Sequence, residues 1–146
     1  MAVYSQDEDL LVFRADALRV GGDDLGDLHR EAHDLIFETL ESQWFRDQAV
    51  EHGYDPDETR LDDSRLDTVR LRRLACYKVL ELVYQQQCKL LGSPDGAERQ
   101  RDHFRGQYDA ELQRLMVTGL GYDWDYGGSI STDERYSPRI RRLKRC

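Results

Sequence analysis

The chain has 146 residues, 39% apolar and 34% charged, with a formal net charge of −8. That balance fits one globular domain with a strongly solvated surface, and the lack of any run of about 18 apolar residues excludes a membrane helix. The acidic stretch from Met1 to Phe13 has no basic signal-like region, and three cysteines without a framework are expected as reduced thiols of an intracellular protein.

Cys76 and Cys88 fall on one expected helix about 18 Å apart at 1.5 Å per residue, too far for a disulfide. The charge is unevenly divided. Residues 135–146 hold Arg135, Arg139, Arg141, Arg142, Lys144 and Arg145 and no acid. Taking those six from the 21 basic residues leaves 15 against 29 acids, so residues 1–134 carry −14. An acidic body of this kind disfavours nucleic-acid binding over its main surface, because phosphate affinity comes from cations.

The pattern predicts a mainly α protein: a bundle of about four helices over residues 1–118, a small hairpin or loop over 119–134, and an extended basic arm over 135–146. The first helix is expected from Gln6 to Leu18, opened by a capping box of Ser5 and Glu8 and closed by Gly21-Gly22. A second begins at Asp23 or Asp24. Its stripe is Leu25, Leu28, Ala32, Leu35, Ile36, Thr39 and Leu40, and it ends near Trp44-Phe45, which are expected in the core. Residues 47–62 are polar, with Gly53 and Pro56, and read as a loop or frayed extension.

A third helix is expected from Asp63 to Leu91, apolar almost all round between Leu74 and Tyr84 and therefore buried on several sides. Gly92 ends it. Ser93-Pro94 opens a fourth helix with a core stripe of Phe104, Tyr108, Leu112 and Leu115, closed by Gly119 and Gly121. Tyr122, Trp124 and Tyr126 then alternate with Asp123 and Asp125 at strand period. Gly127-Gly128 reads as a turn, and Ser129 to Thr132 as a returning strand.

The same segment resembles an EF-hand calcium loop. With Asp123 as position one, acids fall at Asp125 and Glu134 (three and twelve), Gly128 sits at six, an apolar residue at eight, and Ser129 and Ser131 at seven and nine. Alternate carboxylates would converge on one ion and the last glutamate would supply two oxygens. Position five is Gly127, which offers no side-chain ligand, and the glycines and Pro138 interrupt the flanking helices such a loop needs. A hairpin fits the local pattern better, and calcium is the alternative.

His29 and His33 stand four apart, close enough to share a metal, but not in the HExxH order and without a third ligand. No GxSxG motif and no glycine-rich phosphate loop occurs, so no catalytic centre is expected. The arm, with Tyr136, Arg139, Ile140, Arg141, Arg142, Leu143, Lys144 and Arg145, suits an acidic protein groove better than phosphate or lipid, which a −14 body would repel. The other reading of the arm is a loose solubilising tail.

The order of parts resembles the head–tail connector (adaptor) proteins of tailed bacteriophages. Those parts are a short acidic helix, a longer amphipathic one, a loop, a long helix carrying Leu74-Ala75-Cys76-Tyr77, another amphipathic helix and a basic extended end. The resemblance covers most of the chain as layout, with no diagnostic motif. It implies a virion neck protein, assembled in the host cytoplasm, forming a ring under the portal and extending the DNA channel towards the tail. The arm would contact the portal, a tail-side neck protein would be the other neighbour, and DNA would pass through without specific binding.

Overall fold

The computed structural model describes residues 3–22, 24–92, 95–131 and 134. It is mainly helical: α1 (Asp7–Leu10), α2 (Ala17–Gly21), α3 (Gly26–Leu40), a π-helical turn (Glu41–Phe45), α4 (Arg46–Glu51), a 3-10 turn (Asp63–Arg65), α5 (Thr68–Leu91) and α6 (Asp95–Thr118). The chain divides into two compact units, Met1–Ile36 with Val69–Glu111, and Phe37–Thr68 with Leu112–Cys146.

The first unit has an aliphatic core. Every residue of α5 from Leu74 to Tyr84 except Lys78 is buried, as its apolar run predicts. Leu25, just before α3, and Leu28, Ala32 and Ile36 within it join the core, whereas Leu35, placed in the stripe by spacing, is exposed. Gln87 Nε2 donates to the Val20 carbonyl at 2.8 Å, tying the end of α2 to α5. The expected Gln6–Leu18 helix is broken after Leu10, and α2 restarts at Ala17. Arg14 and Asp16 pair across the break at 2.7 Å. The capping box also sits one residue later than expected. Gln6 N–H donates to Asp9 Oδ2 at 2.9 Å, because the Ser5 hydroxyl is taken by His29 at 2.8 Å. Glu81, buried in the apolar run, is paired with Lys78 at 2.8 Å and Arg105 at 3.0 Å.

The second unit is aromatic. Trp44 and Phe45 are fully buried with Tyr122 and Trp124; Phe45 stacks on Trp124 at 5.4 Å and meets Tyr122 edge-on at 5.4 Å. Such pairs add about 0.5–1.5 kcal/mol each beyond area burial. The helix expected to end near Phe45 continues through the π turn into α4, so 46–51 is ordered helix. α5 starts at Thr68, five residues later than predicted, because Asp62 caps a 3-10 turn through the Ser64 N–H at 2.9 Å. Leu66 then runs extended and bridges Tyr122 antiparallel.

That bridge replaces the predicted hairpin. Asp67 N–H donates to the Gly121 carbonyl and Asp123 N–H to the Arg65 carbonyl, both at 3.0 Å. Tyr122 thus pairs with residues 65–67 rather than with a returning 129–132 strand, and the described residues contain no hairpin. The expected face alternation also fails, since residues 120–124 are all buried, Asp123 included. Helix α6 ends where predicted, with Gly119 at φ +92°, a conformation that favours glycine.

Candidate functional site

The 122–134 segment folds around its own carboxylates. Glu134, 6% exposed, accepts from the Trp124 N–H at 2.7 Å and the Asp125 N–H at 3.2 Å on Oε1, and from the Ser131 N–H at 2.8 Å on Oε2. Asp123 accepts from the Gly127 and Gly128 N–H groups at 3.0 Å each, and Asp125 from the Gly127 N–H at 2.8 Å. A Cβ at Gly127 would lie 2.8 Å from Asp125 Oδ1, so glycine stands there for close approach. Arg65 braces the loop, its guanidinium 4.8 Å from the Tyr122 ring centroid and 3.4 Å from that of Tyr126, while donating to the Asp123 carbonyl. Tyr126 is held at φ +61°, in the left-handed region.

Burial alone would raise the Glu134 pKa, but hydrogen bonds from Ser131, Trp124 and Asp125 together outweigh it and hold the carboxyl below the usual glutamate range. His52 stacks on Trp124 at 4.4 Å, and its pKa is lowered by burial despite the nearby Glu134 and Glu51.

As a metal centre the loop fits in part. Asp123, Asp125 and Glu134 bring one oxygen each to within 4.8 Å of one another, compatible with ligands about 2.3–2.6 Å from one calcium ion. Ser129 and Ser131 are exposed, and Ser131 gives both its N–H and its side-chain hydroxyl to Glu134. Each of the three carboxylates is already hydrogen-bonded to backbone amides. The partner-binding candidates Tyr136, Arg139, Ile140, Arg141, Arg142, Leu143, Lys144 and Arg145 lie outside the described residues.

His29 and His33 do not converge on a common ligand. His33 Nδ1 lies 3.0 Å from Asp34 and its ring packs on Tyr4 at 4.6 Å. His29 is bracketed by Ser5 at Nδ1, 2.8 Å, and Asp7 at Nε2, 3.0 Å. This Ser–His–Asp chain was invisible to motif spacing: Ser5 and His29 are 24 positions apart and Asp7 and His29 are 22 apart. The one available signal was a polar residue, His29, between the apolar positions Leu28 and Ala32.

Compared with known protein families, curated proteins and solved structures, the chain gives no match. No described helix is long and apolar enough to cross a membrane.

Proposed function

We propose that the chain is a structural assembly subunit of the head–tail connector kind, forming a homo-oligomeric ring that contacts the portal through the basic segment 135–146 and has a tail-side neck protein as its other neighbour. The observation that carries this reading is the charge division, −14 over residues 1–134 against six cations and no acid in 135–146. It makes one copy's end complementary to another copy's body or to an acidic partner groove. The mainly helical fold supports it, as do Leu90 and Leu91, exposed side by side at the end of α5. In this reading the 119–134 loop is structural and no turnover is assigned to it.

The test is the native mass by light scattering, with and without residues 135–146. The full chain should form a defined multiple of 17.1 kDa, while the truncated chain melts nearly unchanged and assembles poorly. Normal assembly after truncation rules out the role of the arm.

A calcium-dependent binding module is the second reading, favoured by the spacing of Asp123, Asp125 and Glu134. Because amides already occupy these carboxylates and only three acids fall at ligand positions of the loop pattern, calorimetry should find no calcium affinity tighter than about 10⁻⁴ M. Micromolar binding abolished by Glu134→Gln would promote the module over the assembly subunit. A small DNA-associated regulator would instead reveal itself by salt-dependent DNA binding.

A further inference from the structure

Ser5, His29 and Asp7 line one cavity of about 580 Å³ in the first unit. Their order satisfies the donor and acceptor rules in only one way when the imidazole is neutral. An ionised Asp7 can only accept, so His29 Nε2 carries the hydrogen, and Nδ1 is left as the acceptor for the Ser5 hydroxyl. A hydroxyl donating to a base that is oriented by a carboxylate is the arrangement that activates a serine. His29 is 5% exposed and Ser5 3%, so little water competes for either group. Cys76, which also hydrogen-bonds Ser5, is no rival nucleophile: burial and then Asp9 push its thiol up to about 12.

We infer that Ser5 is an activated nucleophile that takes an acyl group from an ester entering this cavity. In the step, Ser5 Oγ forms a bond to the acyl carbon while its proton passes to His29 Nδ1. The carbonyl–oxygen bond to the leaving group then breaks, and His29 returns the proton to the departing alkoxide. The products are O-acyl Ser5 and an alcohol, with Asp7 holding the imidazolium between the two transfers. Nothing in this step requires turnover, so it goes beyond the assembly reading and stands whether or not the chain forms a ring.

The cavity also selects a class of donor. Glu8, Asp24 and Asp27 share its lining with Asp7, against Arg30, which is already paired with Asp27. A positively charged acyl donor, such as an ester of a basic amino acid, is favoured over a neutral or anionic one.

The experiment uses the full chain with two probes, the p-nitrophenyl ester of Nα-benzyloxycarbonyl-lysine and p-nitrophenyl acetate. The lysine ester should release a burst of about one p-nitrophenol per chain, with the adduct mapped to Ser5 by peptide mass. Ser5→Ala should abolish the burst and His29→Gln should slow it by about 10²-fold or more. Relative to hydroxide-catalysed hydrolysis of each probe, the lysine ester should react faster than the acetate. Adduct mapping on the unmutated chain decides the matter even if a variant melts low. No burst, or an adduct on any residue other than Ser5, overturns the inference. Acylation of Ser5 with equal preference for the acetate overturns the assigned class of donor.

Discussion

Glu81 and Glu134 are the same side chain at nearly the same burial, 4% and 6% exposed, and the two units stabilise them by opposite means. Glu81 lies within α5, where the neighbouring amides already serve the helix ladder, so no backbone donor is free to meet it. It recruits side-chain cations instead, Lys78 and Arg105. Glu134 closes an irregular loop whose amides have no ladder to serve, and it takes three of them. A buried carboxylate in a helix therefore depends on charges elsewhere in the sequence. One in a loop can be satisfied by the backbone it helps to shape.

The hardest test of that contrast places a carboxylate one residue away from Glu81. Leu80 is fully buried on α5. Leu80→Asp should cost several kcal/mol, a large part of the roughly 5–15 kcal/mol that holds a small domain, and abolish the cooperative melt. A variant that melts near wild type would mean that a helical carboxylate here needs no cation, and the contrast would fail.

A smaller effect is expected at the loop. Glu134→Gln keeps one acceptor oxygen but replaces the other with an amide nitrogen facing the Ser131 or the Trp124 and Asp125 N–H groups. The loss should be about 1–3 kcal/mol by chemical denaturation. Its pH dependence follows from the lowered pKa of Glu134. A carboxyl with a folded pKa below its unfolded value contributes stability that is complete above the ordinary glutamate range and disappears as pH falls through the folded value. Wild type should therefore lose its advantage over Glu134→Gln as pH falls from about 5 through and below the ordinary glutamate range. A constant difference across that interval would assign the loss to packing rather than to the charged carboxylate.

Legibility in the sequence follows the same division between local and distant partners. The α5 run and the burial of Trp44 and Phe45 were readable because apolar period depends only on near neighbours. So were the glycine stops at Gly92 and Gly119. The 123–134 loop was readable as a spacing of carboxylates and glycines, but its partners were not. Alternation at 122–126 suggested a hairpin, whereas Tyr122 pairs with Leu66, a residue that spacing had placed inside a helix. Gly127, which looked like a missing ligand, serves to let an N–H approach Asp125. Lys78 shares a helix with Glu81 and was within reach of pattern reading. Arg105 and the Ser5–His29–Asp7 chain were not, because they join elements more than twenty positions apart and no periodicity relates them.

The smallest expected effect separates the two cations of Glu81. Lys78 is mostly buried, with its ammonium 4.1 Å from the Tyr108 ring centroid, whereas the Arg105 side chain is 52% exposed. Arg105→Met leaves Glu81 paired with Lys78 on Oε2 and keeps an aliphatic side chain in place of the arginine stem. The cost should be below about 1 kcal/mol, since exposed partners contribute little and are screened. In about 1 M salt, where screening acts over about 3 Å, the difference from wild type should shrink towards zero. The Glu134→Gln penalty should persist under the same conditions, because its partners are backbone N–H groups in direct hydrogen bonds, which salt screens little. Equal salt sensitivity of the two variants would mean that both carboxylates are held mainly by long-range charge. The contrast between a cation-paired helix and an amide-paired loop would then be wrong in its central claim.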